Sequence, residues 1–220
     1  MPISVKARGL VPAGKVVRAI VVGMKKADGD YKKLSGLSIG EAPEYFLTTR
    51  IAQEVRKLDV WVDLERSVSL TLKEAGAIAS GPIPKVIRGN GRFDLVVHKQ
   101  NEKPRFIVEV KHLVSSFHRI EKDVERISAV LARGRNGNSF QFGIIALYAQ
   151  KKVLHSAQEK LALLLEELST RCGEFVKNKR QTVEVERDLL SNGPTLATAA
   201  VCVLIRKAPG SAKKSMPVVK

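Results

Sequence analysis

Two neighbouring segments near the middle of the chain carry the side-chain alternation of β-strands, and each contains one acidic residue. Residues 92–98 and 105–111 are rich in β-branched and aromatic side chains, and the polar residues 99–104 join them. Strand-like runs separated by so short a polar connection are typical of an antiparallel hairpin. This predicted hairpin limits the possible folds more than any other feature, because it fixes which side chains share a face.

The alternation predicts that two carboxylates meet on one face of the hairpin. With the turn centred between residues 101 and 102, Asp94 lies opposite Glu109, and Lys111 shares the face of Glu109. Directly opposed residues have Cβ atoms roughly 4.5–5.5 Å apart. Two anions so close repel each other in a partly desolvated site, so a cation is needed, either Lys111 or a divalent ion. Carboxylates with a backbone carbonyl such as that of Val110 suit Mg²⁺ or Mn²⁺.

The segments around the hairpin predict an α/β protein with a central mixed sheet flanked by helices. Hydrophobic periodicity and alternation give the order α-β-β-β-α-β-α-β. Besides the hairpin, the predicted elements are a helix over 43–57, a strand over 60–72, a helix over 117–133, a strand over 140–148, a helix over 155–178, a possible strand over 182–186 and a strand over 199–205.

The two ends of the chain differ from this central part. Residues 11–27 have the pattern of a short basic amphipathic helix, residues 28–30 (Asp-Gly-Asp) that of a helix breaker, and residues 31–41 that of a linker. We therefore predict a basic N-terminal extension and linker over 1–41, a catalytic or binding domain over 42–206, and a basic disordered tail over 207–220.

The charge of the chain favours a polyanionic partner. The formal net charge is +16, and the segments 1–33 and 207–220 together hold more than half of the excess. Such a surplus attracts nucleic acid through counterion release, although solubility or an acidic membrane surface would also account for it. The aromatic content of 5% disfavours a base-stacking platform.

Membrane insertion and disulfide bonding are not expected. No uninterrupted apolar run approaches the roughly 20 residues that span a bilayer. Cys172 and Cys202 are the only cysteines, too few for a disulfide framework or a four-thiolate zinc site. These features predict a cytoplasmic protein without a membrane-spanning segment.

The acidic hairpin resembles the motif of the PD-(D/E)xK nuclease superfamily, which has the restriction-endonuclease-like fold. The matching residues are Gly91-Arg92-Phe93-Asp94, then 14 intervening residues, then Glu109-Val110-Lys111. Phe93 stands where the motif has proline. The element order over residues 42–150 is also similar to that of the family core.

The resemblance implies a role for each motif residue. Asp94 and Glu109, with the carbonyl of Val110, would hold Mg²⁺ or Mn²⁺, and Lys111 would orient the attacking water. Many family members add a glutamate from the first helix. Glu44 and Glu54 are the candidates here, and Glu44 is preferred because it lies near the helix start.

The resulting functional prediction is a Mg²⁺-dependent nuclease, a phosphodiester hydrolase with DNA as the favoured substrate. One alternative is a non-catalytic nucleic-acid-binding module on the same fold, and another is a basic interaction or structural protein. The structural alternative for Glu109 and Lys111 is an ordinary cross-strand ion pair on a solvated face. Cleavage of both strands would favour a homodimer.

Residues near the motif are assigned to two groups. Lys122 and Asp123 are interpreted as part of a solvated helix face. The predicted nucleic-acid contacts are Arg88, Arg92, His112 and Arg119.

Overall fold

Six strands pair into a mixed β-sheet in a computed structural model, which describes residues 11–78, 81–99, 103–133, 138–177 and 179–208. The strand order is β1-β2-β3-β4-β6-β5, and β3 and β4 are parallel while the other neighbours are antiparallel. The α/β class and the mixed sheet flanked by helices are confirmed. The elements are α1 (Ala13–Ser35), α2 (Glu44–Arg56), β1 (Trp61–Ser67), α3 (Val68–Glu74), β2 (Arg92–His98), β3 (Pro104–Val114), α4 (Glu121–Ala132), β4 (Phe142–Lys152), α5 (Ala157–Val176), β5 (Gln181–Asn192) and β6 (Leu196–Lys207).

Helices cover both faces of the sheet. Helices α1 and α2 pack on the face that carries Leu95 and Val108. Helices α4 and α5 pack on the opposite face, which carries Val96 and Ile107. Because α4 connects β3 to the parallel strand β4, it crosses the face on which alternation also places Glu109.

The predicted hairpin register is confirmed. Leu95 pairs with Val108 and Val97 pairs with Phe106, so that paired residue numbers sum to 203, and the register shifts only between Val97 and His98. Continuing this register by one residue places Asp94 opposite Glu109. The hairpin therefore has the geometry on which the functional prediction depends.

The first helix is longer than predicted, and the proposed helix breaker at residues 28–30 is wrong. Helix α1 continues to Ser35 and ends at Gly36, whose φ of 75° lies in the left-handed region. Its buried face packs against α2 and the sheet, and this packing outweighs the helix propensity cost of about 1 kcal/mol for a glycine. The predicted linker over 31–41 is therefore partly helical, with the end of α1 and a 3₁₀ turn at Ile39–Glu41.

Several other boundaries differ from the predictions; for example, β5 and β6 extend beyond the predicted ranges 182–186 and 199–205. The strand predicted over 60–72 ends at Ser67, and α3 follows because Val68 and Leu72 are both buried at helical spacing. The helix predicted from residue 117 begins at Glu121, after a 3₁₀ turn at Phe117–Arg119. The predicted disordered tail lies outside the described residues from residue 209 onward.

The close contact between α1 and α2 gives a test of the N-terminal packing. A Cβ at Gly23 would lie 2.8 Å from the Cα of Ile51, whereas a Cβ at Gly29 would have no neighbour within 4 Å. Gly23→Ala should therefore lower the free energy of unfolding by about 1–3 kcal/mol through overpacking. Gly29→Ala, the matched control in the same helix, should raise it by up to about 1 kcal/mol. Urea denaturation measures both, and equal stability of the two variants would contradict the packing of α1.

Candidate functional site

The structure brings the three residues of the predicted motif together at adjacent strands. The Asp94 carboxylate accepts a hydrogen bond from the backbone N–H of Val110, with 2.6 Å between Oδ2 and N. Glu109 is only 2% exposed, and Lys111 is partly buried on the same side of β3. The Val110 side chain points to the opposite face, into the core under α1 and α2.

A buried arginine, which the sequence analysis missed, holds Glu109. Nη1 of Arg126 in α4 lies 2.7 Å from Oε1 of Glu109, and Arg126 is 3% exposed. Its Nε donates to the carbonyl of Ile87 and its Nη2 to that of Arg92, at 3.1 and 2.8 Å. The guanidinium also lies over the Phe93 ring. Arg126 therefore ties the acidic hairpin to the loop that leads into β2.

The prediction that Asp123 lies on a solvated helix face is wrong. Asp123 is 5% exposed, and its Oδ2 lies 3.7 Å from Nζ of Lys111. The residue is three and four positions before Arg126 and Ile127, so all three side chains share the side of α4 that faces the sheet. The spacing to Ile127 was a readable signal for this burial.

The surroundings of Glu109 favour its protonated form. Burial, and then the nearby charges of Asp94 and Asp123, raise the pKa of Glu109 to about 8, while Arg126 and Lys111 act in the opposite direction. Without a further cation, the site therefore carries more acidic groups than its two basic side chains balance.

The same acidic groups keep Lys111 charged. Burial lowers the pKa of Lys111, but the charges of Asp123, Asp94, Glu109 and Glu44 together outweigh burial and raise it above the usual value. The ammonium group is thus held in its protonated form beside the carboxylates.

The pKa of Glu109 predicts a specific pH dependence of stability. The folded protein retains the proton on Glu109 up to a pH of about 8, whereas the unfolded chain releases it near the ordinary pKa of 4.5. Across this window Glu109 should lower the free energy of unfolding as pH rises, by at most about 1.4 kcal/mol per pH unit for one proton. Urea denaturation in EDTA should show a weaker fall for Glu109→Gln than for the unaltered protein. Parallel pH profiles would contradict the shift.

Of the two candidate glutamates in α2, Glu44 reaches the site. Its Oε2 accepts a hydrogen bond of 3.1 Å from the backbone N–H of His112, the residue after Lys111. Glu54 instead pairs with Lys26 and Lys57, at 2.9 and 2.6 Å. Glu44 is thus near enough to Lys111 for its charge to raise the pKa of that lysine.

The predicted nucleic-acid contacts lie in different surroundings. Arg88, Arg92 and Arg119 are exposed. Burial is the main cause of the raised pKa of Asp123, and Arg88 is near enough to this acid to act in the opposite direction. His112 is partly buried, with Nε2 2.8 Å from the carbonyl oxygen of Ile39. The three arginines are therefore open to a ligand, while the His112 ring already contacts the protein.

Asp94 and Glu109 are the side chains that would hold a hard divalent cation. The described contacts use Oδ2 of Asp94 and Oε1 of Glu109, so each carboxylate retains a second oxygen. Within the described parts of the chain, no three His, Cys, Asp or Glu side chains are grouped as metal ligands. Mg²⁺ is commonly held by only one or two carboxylates, with water and substrate phosphates completing its coordination.

Comparisons with known proteins do not identify a family for this chain. No family model, no curated protein and no solved structure matches it. Among the helices in the described residues, none is both long enough and apolar enough to cross a membrane. The functional argument therefore depends on the geometry of the site.

Proposed function

We propose that this protein is a metal-dependent nuclease that hydrolyses phosphodiester bonds, with DNA as the favoured substrate. The observation that carries the proposal is the convergence of Asp94 and Glu109 across the β2–β3 hairpin, beside the charged side chain of Lys111. Two carboxylates and an ammonium group in this arrangement match the needs of phosphodiester hydrolysis, in which negative charge develops on the phosphate oxygens.

The element order supports a restriction-endonuclease-like core. Helix α2 precedes the antiparallel strands β1, β2 and β3, and α4 then leads to β4, which is parallel to β3. This is the order helix, three strands, helix, strand that the resemblance implies. Helix α3, between β1 and β2, is an addition to that order.

Each side chain of the site has a distinct proposed role. Asp94 and Glu109, with the Val110 carbonyl, would hold Mg²⁺ or Mn²⁺, which supplies Lewis-acid stabilisation of the phosphate when bound. Lys111 orients the attacking water and offsets charge on a non-bridging oxygen. Asp123 positions Lys111 through their ion pair.

Surface charge would bring the substrate to this site. The net charge of +16 favours a polyanion, and the exposed arginines 88, 92 and 119 are the proposed backbone contacts. A homodimer would present two such sites to the two strands of a duplex.

A second candidate function is nucleic-acid binding without hydrolysis. The specific observation in its favour is the ion pair between Arg126 and Glu109, because a buried guanidinium contacts an oxygen of the carboxylate that the nuclease proposal assigns to a metal. In that case Asp94, Glu109 and Lys111 would stabilise the hairpin, and the basic surface alone would carry the function.

A cleavage assay separates the two functions. Linear, supercoiled, branched and single-stranded DNA are tested side by side. Purified protein with Mg²⁺ or Mn²⁺ should cut at least one of these substrates, and EDTA should stop the reaction. Salt-dependent binding of all four substrates without cleavage in either metal would contradict the nuclease proposal and support the binding module.

A further inference from the structure

A basic cavity lies at the far end of α4 from the candidate site. It has a volume of about 540 Å³ and is formed by the end of α4, the start of β5 and the end of β6. Asp123 and Arg126 lie towards the start of α4, whereas Leu131 and Ala132 line the cavity. Its size is within the range of roughly 300–1,000 Å³ typical of ligand pockets.

Three basic side chains line this cavity, and no acid is among the described residues that line it. None of the ion pairs formed among the described residues includes Lys179, Arg180 or Lys207, all of which line it. Burial lowers the pKa of both lysines; Glu125 partly opposes this at Lys179. All three residues are exposed, so the cavity presents clustered positive charge that attracts an anion.

The backbone around these side chains is held in place. The N–H of Ala208 donates to the carbonyl of Arg180 at 2.8 Å, joining the two strand ends. The Gln181 side chain is hydrogen-bonded to Ser128 of α4 at 2.7 and 2.9 Å. Nζ of Lys179 lies 4.0 Å from the centre of the Phe175 ring. These contacts hold the backbone of the cavity and the Lys179 side chain in place, which reduces the conformational entropy that ligand binding would cost.

We propose that this cavity binds phosphate groups of a nucleic-acid backbone, at a contact point separate from the candidate catalytic site. A polymer fits better than a free phosphate, since the sequence beyond Ala208 adds three lysines and no acid. The nine residues from Asp123 to Ala132 extend over about 13 Å of helix. Because a duplex carries one charge per roughly 1.7 Å of its axis, one duplex is long enough to offer phosphates to both places. The choice of nucleic acid as the polymer rests on the proposed function.

A triple charge-removal variant tests this inference. Lys179→Gln/Arg180→Gln/Lys207→Gln should weaken binding of a short fluorescein-labelled DNA duplex about tenfold or more at low salt. The slope of log affinity against log salt should fall by about 0.9 for each phosphate that the variant no longer neutralises. Fluorescence anisotropy in EDTA measures both quantities without cleavage.

The matched control removes the same charge elsewhere. Lys73→Gln/Lys152→Gln/Lys160→Gln replaces three exposed lysines outside the cavity and outside the basic N-terminal segment, and should change the affinity and slope much less. Equal effects of the two triple variants would overturn the inference, because only net charge would then matter. If the cavity variant does not fold, protection of Lys179 and Lys207 from acetylation by bound duplex supports the contact, and unchanged acetylation overturns it.

Two further measurements separate this inference from the proposed function and from small anions. Hydrolysis of bis(4-nitrophenyl) phosphate with Mn²⁺, a substrate too small to span both places, should be unchanged in the cavity variant. If the cavity variant keeps its DNA affinity as well, the inference fails while the nuclease proposal stands. If the variant binds DNA more weakly but no form of the protein hydrolyses the substrate, the inference stands while the nuclease proposal fails. At constant ionic strength, inorganic phosphate should compete only weakly with the duplex for the cavity. If phosphate binds tightly and the cavity variant keeps its DNA affinity, the nucleic-acid assignment is overturned.

Discussion

Replacing Asp94 by asparagine should reduce metal-dependent DNA cleavage by roughly a hundred- to a thousandfold, the scale of removing one group that stabilises the transition state. The side-chain oxygen of asparagine can still accept the hydrogen bond from Val110, so the hairpin should stay folded. The negative charge that attracts a divalent cation is removed, however. Initial cleavage rates over a range of Mg²⁺ and Mn²⁺ concentrations measure the effect, and thermal melting checks the fold.

Glu54→Gln is the matched control for this variant. It makes the same carboxylate-to-amide change in a residue that pairs with surface lysines and does not reach the site. Its cleavage rate should remain close to that of the unaltered protein. A folded Asp94→Asn protein that cuts DNA as fast as Glu54→Gln would remove Asp94 from the proposed chemistry.

The hairpin was predictable because its determinants are local. A strand alternates its side chains with a period of two, and a short connection leaves few possible registers, so the pairing of Leu95 with Val108 follows from the sequence. The predicted meeting of Asp94 and Glu109 then required no knowledge of distant residues. Helix α2 was predictable for the same reason, since Leu47, Ile51 and Val55 recur at helical spacing and are buried.

The remaining features depend on contacts between residues far apart in the chain. Helix α1 continues through Asp28, Gly29 and Asp30 because its apolar face packs on α2 and the sheet, which no local pattern at these three residues indicates. Asp28 also accepts a hydrogen bond from the backbone N–H of Ile39. Tertiary packing therefore outweighed the local breaker signal.

Arg126 shows a different limit of sequence analysis. An arginine in an amphipathic helix usually extends its charged group to solvent, so the residue type suggests exposure. Its burial depends on three acceptors that the fold brings together: a Glu109 oxygen and the carbonyl oxygens of Ile87 and Arg92. The acidic half of the pair was predictable from strand alternation, but its basic partner was not.

Removing Arg126 should therefore destabilise the protein strongly. Arg126→Met leaves the Glu109 carboxylate buried without its ion-pair partner, and such a change costs about 3–5 kcal/mol. It also leaves the carbonyls of Ile87 and Arg92 without their guanidinium donor. The free energy of unfolding from urea denaturation is measured in EDTA above pH 8, where Glu109 of the unaltered protein is ionised. Because Arg126 lowers the pKa of Glu109, its removal should raise that pKa further in the variant.

A double-mutant cycle shows whether the cost comes from the pair. Adding Glu109→Gln to Arg126→Met removes the unpaired charge, so the double variant should be more stable than the sum of the single effects predicts, by about 0.5–3 kcal/mol. Arg133→Met is the control, because this buried arginine donates to the carbonyls of Ala77, Gly81 and Pro82 instead of a carboxylate. Its effect should add to that of Glu109→Gln without coupling. Additivity of Arg126→Met with Glu109→Gln would mean that the ion pair contributes little, and that Arg126 acts through its carbonyl contacts alone.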